Sequence, residues 1–187
     1  GFSLKMDGPL DLRLNPKSGR PASALLKNIS QHQLEDILIQ NADEPHAAII
    51  AKSIIAKMAK TKGIETTNQL KEVIAETLGF LPNSNKIDQI KKSCQRCFQA
   101  LRIEVNNEFG VLEKFLEKLP AVLDTGGRVA ILTFHSGEDR RVKKSFQSLF
   151  RLDIYSDIAT EPILPSSQEI YNNPRSRSAK LRWAIKA

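Results

Sequence analysis

The residue types best suited to chemistry stand together in six positions, His135-Ser136-Gly137-Glu138-Asp139-Arg140. An imidazole, a hydroxyl, two carboxylates and a guanidinium supply proton-transfer groups and hydrogen-bond partners for a polar ligand. Before them, Gly126-Gly127 launch an apolar run, Val129 to Phe134, long enough for one buried strand. After them, Asp139 to Phe150 is predicted to be a basic helix. A strand that ends in a polar turn and feeds a helix is the unit of an open α/β sheet, whose ligands sit outside the strands' carboxyl ends. The same residues also suit a plain helix start, with Ser136 as the cap and Glu138 and Asp139 at the positive end of the dipole. A Ser-His-Asp hydrolase fits poorly, because His135 and Ser136 are adjacent and no nucleophile elbow surrounds the serine.

Two further groups could bind a polyanion. Arg102, Asn106 and Asn107 lie off the apolar stripe of a predicted helix, and such side chains hydrogen-bond bases or phosphates. Arg175 and Arg177, set between small hydroxyl residues, suit phosphate contacts, with a solvated loop as the plain alternative. The excess of 28 Lys+Arg over 21 Asp+Glu gives a net charge of +7, which favours RNA or DNA over acidic proteins as partner. Neither G-x-G-x-x-G nor a P-loop occurs, so no nucleotide cradle of that kind is present. Three isolated histidines with one C-x-x-C, Cys94 to Cys97, make no credible metal site. The two cysteines lie one turn apart on a predicted helix and read as packing, in keeping with a reducing compartment. No apolar run approaches the length of a membrane span, so no membrane partner is expected.

The elements that must position these groups divide into a helical block and a β-rich remainder. Asp7-Gly8-Pro9 is turn chemistry, and Pro16 forbids a helix just before it. Ser30 with Gln33 and Thr66 with Gln69 each make a capping box ahead of an amphipathic helix. Another helix is expected near Asp43-Glu44-Pro45, with the proline in its first turn. Asn83 to Ile90 reads as a loop. From Cys94 through Phe98, Leu101, Val105, Phe109, Leu112 and Leu116 to Leu119, apolar residues recur every three or four positions, which predicts one long helix. Strands are expected at Val129–Phe134, Arg151–Tyr155 and Lys180–Lys186.

Taken in order, several blocks of this sequence resemble the RsmH/MraW family. They are Gly1-Phe2-Ser3, Asp7-Gly8-Pro9-Leu10-Asp11-Leu12-Arg13-Leu14, Phe98 to Glu108, Gly126-Gly127-Arg128, Phe134 to Arg140 and Asn173 to Arg182. The resemblance implies S-adenosylmethionine-dependent methyl transfer to N4 of a cytidine in small-subunit ribosomal RNA. It implies an α/β fold: part of a Rossmann-like class I methyltransferase sheet, residues 1–16 and 123–187, with an inserted all-α helical domain, residues 17–122. Family members carry their glycine-rich loop and cofactor-holding acids ahead of the Gly-Phe-Ser block. No cofactor-binding residue is therefore carried over, and this chain alone is expected to be inactive.

The resemblance also orders the candidates. Asp7, Asp11 and His135 become the expected catalytic positions, since the Asp7–Arg13 loop and the His135-Ser136 turn would flank the crevice, with Asp7, Asp11 or a backbone carbonyl of the Asp-Gly-Pro turn accepting protons of the cytosine amine. Arg13, Arg102, Asn106, Asn107, Ser136, Asp139, Arg175 and Arg177 become the expected RNA contacts. Partners are the ribosomal RNA or the small subunit, with a homodimer as a further option. The expected location is the cytoplasm, or an organelle matrix for a eukaryotic source. The rival is a non-catalytic RNA-binding or ribosome-assembly module. Gly137 departs from the family's usual leucine, which is expected to leave an apolar contact empty.

Overall fold

The computed structural model describes residues 6–61 and 63–187, so the Gly1-Phe2-Ser3 block lies outside the described residues. The chain packs as two compact units, Gly1–Glu108 and Phe109–Ala187.

The first unit is helical. It holds α1 (Ala22–Lys27), α2 (Gln31–Ala42), α3 (Ala47–Lys60), α4 (Thr67–Thr77) and α5 (Lys86–Asn106). Both predicted capping boxes form: Ser30 with Gln33 starts α2, and Thr66 with Gln69 starts α4. Helix α3 starts at Ala47, two residues past Pro45, and α5 starts at Lys86 inside the stretch expected to be a loop. Leu34, Leu38, Ile50, Ile54, Leu70, Ile74 and Leu101 are buried together in its core. Leu10 and Leu12 join that core, so the segment after Met6 belongs to this unit's packing. Cys94 and Cys97 are free and buried there, and burial pushes the Cys94 thiol up to about 11. Such thiols are inert.

The predicted long helix is broken. Asn107 takes a left-handed conformation, φ 49°, and ends α5; α6 (Glu108–Lys118) follows it. Asparagine tolerates that conformation better than most residues, and the apolar spacing hides the break because it continues unchanged across it. The two halves of the stripe then serve different cores: Cys94, Phe98 and Leu101 in the first unit, Leu116 and Leu119 in the second.

The second unit contains α6, β1 (Arg128–Thr133), α7 (Ser136–Arg151), β2 (Tyr155–Ile158), the short α8 (Ser167–Asn172) and β3 (Lys180–Lys186). The second strand begins at Tyr155, later than expected, because α7 runs on to Arg151. The strand order is β1-β3-β2, and β3 is antiparallel to both neighbours. Strands β1 and β2 therefore point the same way, joined through α7 as a crossover, with β3 filling the slot between them. This is a mixed α/β unit with a small antiparallel sheet. Val142 and Phe146 of α7 meet Tyr155, Ile158 and Ala184 in its core. Ala130 and Leu132 of β1 stay exposed, and β1 forms one edge of the sheet.

Candidate functional site

The candidate residues fall into two groups, one in each unit. In the first, Asp7 sits at the start of α4. Its Oδ1 accepts the Asn68 N–H at 2.9 Å and the Thr67 hydroxyl at 3.1 Å. The Asn68 N–H, against burial and with help from Thr67, holds its carboxyl below the ordinary value. One oxygen of Asp7 is thus engaged as a helix cap, which also ties the Asp-Gly-Pro turn to α4.

Asp11 and Arg13 form a two-pronged pair. Arg13 Nε donates to Asp11 Oδ1 at 2.7 Å and Nη2 to Oδ2 at 2.8 Å. That contact outweighs burial and keeps the Asp11 carboxyl low. Arg13 Nη1 reaches the Gly19 carbonyl at 3.1 Å. Between the pair stands Leu12, buried, with φ 63°. A branched side chain in the left-handed region is strained, so neighbours must hold it. Asn106 does so: its Nδ2 donates to the Leu12 carbonyl at 2.8 Å, and its Oδ1 accepts the Leu14 N–H at 2.8 Å. Nδ2 also reaches the Arg102 carbonyl at 2.7 Å. Asn106, expected at the RNA, has its carboxamide occupied by backbone at both ends. Arg102 is likewise occupied, forked onto Glu108 at 2.8 and 3.0 Å. Asn107, exposed, ends α5 through its N–H to the Glu104 carbonyl.

In the second unit the cap of α7 is His135, in place of Ser136. His135 Nδ1 accepts the Glu138 N–H at 3.4 Å, and Ser136 is the first helical residue. With Nδ1 as acceptor, a neutral ring carries its proton on Nε2. That nitrogen is buried, 3.4 Å from Glu138 Oε1 but not aligned for a hydrogen bond. Glu138 reaches back to the Phe134 N–H at 2.9 Å. Burial raises its carboxyl, and His135 and the Phe134 N–H outweigh that, leaving it low. Histidine is the cap, and the return bond from Glu138 goes to Phe134, one residue before it, so the turn departs from a standard capping box, a variant that residue preferences for caps do not suggest.

Asp139 is 7% exposed and faces β3. Arg182 Nε donates to its Oδ1 at 2.6 Å and Nη2 to its Oδ2 at 3.3 Å, and Lys180 Nζ lies 3.4 Å from Oδ2. Burial alone would raise this carboxyl; Arg182 and then Lys180 outweigh it and hold it low. Arg182 also donates to the Thr160 carbonyl at 3.3 Å. Arg182 was not among the expected site residues. Its position was the available signal: an arginine inside an apolar strand, flanked by Leu181 and Trp183, needs a buried partner.

Gly137 leaves no empty contact. A Cβ there would lie 2.6 Å from Phe109 Cζ, so the phenylalanine ring already fills the space. Arg141 stacks its guanidinium 3.4 Å from the centre of that ring, binds Glu113 at 2.9 Å and donates to the Gly137 carbonyl at 3.1 Å. Gly137→Ala is expected to lose about 1–3 kcal/mol in a denaturant titration, because a packed ring must move. Phe109→Leu in the same chain should recover much of that loss; no recovery would mean that the ring is not the obstacle.

Arg175 and Arg177 are exposed on a 3-10 turn, Pro174–Ser178. The turn is anchored from within: Ser176 donates its N–H and its hydroxyl to the Asn173 carbonyl at 2.9 and 2.8 Å, and Asn173 Oδ1 accepts the Arg175 N–H. Among the described residues no group of three or more His, Cys, Asp or Glu could hold a metal ion. No described helix is long and apolar enough to cross a membrane.

The MraW methylase family model matches residues 1–187. The chain belongs to the MraW methylase family. It is 60% identical over its whole length to Ribosomal RNA small subunit methyltransferase H 2 of Alkaliphilus metalliredigens, covering 54% of that protein. Ribosomal RNA small subunit methyltransferase H 1 of Lachnoclostridium phytofermentans is 56% identical over the whole chain, which covers 51% of it. The corresponding protein of Crocosphaera subtropica is 42% identical over 98% of the chain, which covers 55% of it. The chain spans about half the length of the curated relatives it matches. Membership in the MraW methylase family thus rests on a match over the whole chain.

Proposed function

We propose that the protein carrying this chain methylates N4 of a cytidine in small-subunit ribosomal RNA, with S-adenosylmethionine as donor. One observation carries this reading: the chain aligns from end to end with relatives named ribosomal RNA small subunit methyltransferases, at up to 60% identity. On this reading it works in the cytoplasm. On the same reading residues 1–16 and 123–187 belong in sequence to the methyltransferase α/β domain and 17–122 to its helical insertion, although Leu10 and Leu12 pack in the helical unit and Phe109 begins the second. The edge strand β1 and the exposed Ala130 and Leu132 support adding further strands there, since an apolar edge is otherwise an aggregation hazard.

Among the described residues, the cleft at the sheet is a poor match for the donor. The cleft at the sheet, about 410 Å³, is lined by Arg128, Val129, Ala130, Trp183, Ala184 and Ile185. It offers one guanidinium and no carboxylate for a ribose or an ammonium group. The chain's own contribution is therefore to the RNA. Buried Asp139 ties α7 to β3 through Arg182, and His135 caps the helix, so both shape the α7 turn. Asp11 and Arg13, partly exposed on a strained and clamped segment, are the pair we assign to the substrate side. A cytosine amine within structured RNA must be unstacked to be reached, and a rigid polar edge suits holding it there. Exposed Arg175 and Arg177 supply phosphate contacts.

The test is a methyl-transfer assay with the intact protein, small-subunit RNA and isotopically labelled donor, followed by digestion and mass analysis of the nucleosides. Label in N4-methylcytidine is expected. Label in another nucleoside refutes the assignment, and RNA binding with no label supports the non-catalytic module instead.

A further inference from the structure

Tyr171 is 82% exposed, at the end of α8, immediately before the turn that carries Arg175 and Arg177. Its frame is rigid. Ser166 caps α8 by accepting the Glu169 N–H at 3.1 Å, and the Asn173 N–H closes it on the Glu169 carbonyl at 2.7 Å. The same Asn173 then anchors Ser176, so helix and 3-10 turn share one residue as a joint. In a 3-10 turn successive residues are about 120° apart, so Arg175 and Arg177 leave the turn in different directions around buried Ser176. From Pro162 to Ala187 the single acid is Glu169, against Arg175, Arg177 and Lys186, with Lys180 and Arg182 paired to Asp139. An exposed aromatic face, two diverging arginines and a fixed backbone are the parts of a single-strand nucleic-acid contact: bases stack on the ring and phosphates meet the cations.

We propose that Tyr171 is the stacking platform of a single-stranded RNA contact, with Arg175 and Arg177 gripping phosphates on either side of the stacked base. The inference rests on the RNA-directed reading above and adds to it the kind of RNA, unpaired nucleotides.

The experiment measures binding of the intact protein to a mixed-sequence RNA of about twelve nucleotides, a length within the range of single-strand sites, and to the corresponding duplex, across a salt series. Tyr171→Ala is expected to weaken the single strand roughly tenfold, with the duplex and the salt slope unchanged; Tyr171→Trp should restore binding. Arg175→Ala with Arg177→Ala should weaken both RNAs and flatten the single-strand salt slope by about 1.4. If Tyr171→Ala affects both RNAs alike, or neither while the arginine variant weakens both, the stacking role is overturned and the RNA reading stands. If neither variant changes binding or salt slope, both are overturned. If Tyr171→Ala converts a dimer to monomer in sedimentation and leaves RNA binding intact, the patch joins protein copies and the inference falls.

Discussion

Asp139→Asn is expected to destabilise the second unit by about 3–5 kcal/mol, because it leaves the Arg182 guanidinium buried without a counter-charge. Arg182 has a side-chain exposure of 4%, and its Nε–Oδ1 contact with Asp139 is 2.6 Å. No other carboxylate is paired with Arg182 among the described residues. Denaturant unfolding followed by Trp183, which sits beside Arg182 on β3, reports the loss. The pH dependence follows from the lowered Asp139 carboxyl. A depressed folded value means the contribution is fully present above the unfolded value of about 3.9 and is lost as pH falls through the lower folded one. The wild-type chain should therefore lose stability more steeply than the asparagine variant as pH drops below about 4. Parallel acid profiles, or a loss under about 1 kcal/mol, would show that the pair does not hold α7 to β3. Replacing both partners with apolar residues of similar size should be far milder than removing the aspartate alone, since no charge is then stranded.

How far the molecule could be read from its sequence depended on whether the signal was local. The capping boxes at Ser30 and Thr66 are four-residue patterns, and both helices start where the patterns put them. Strand β3 matched its apolar run from Lys180 to Lys186. The break at Asn107 was not legible, because apolar spacing reports which face is buried and not which core buries it. The site followed the same rule. That Asp139 and Asn106 are polar groups near an apolar face is visible in sequence; that one meets Arg182, 43 positions away, and the other the Leu12 backbone, 94 away, is a product of the fold. Residue type alone made both look like ligand contacts, when long-range pairing had already filled their hydrogen-bonding capacity. Arg175, Arg177 and Tyr171 lie at the other extreme: their fixed points are local and their side chains stay open.

Asn106→Ala tests whether the strained segment does more than hold the first unit together. Left-handed Leu12 stores roughly 1–3 kcal/mol of strain, and the segment keeps that shape because Asn106 binds the Leu12 carbonyl and the Leu14 N–H from one carboxamide. Alanine removes both bonds and is expected to lose about 2 kcal/mol of stability. If the intact protein methylates RNA as proposed, a larger effect should appear in its turnover. Freed at Leu12, the backbone relaxes toward ordinary dihedrals and carries the Asp11–Arg13 fork with it. A displacement of about 1 Å in a positioning group lowers a rate roughly 100-fold. Turnover measured well below the melting temperature should fall by that order while affinity for the methyl donor is unchanged, if the fork serves the RNA side as proposed. Asp11→Asn, which weakens the fork but leaves the clamp intact, should lower turnover with little loss of stability. If Asn106→Ala is less stable yet turns over normally, the clamp is only structural. In that case Asp11 and Arg13 lose their claim to the substrate side, because a group that tolerates such movement is not aligned with the reacting amine.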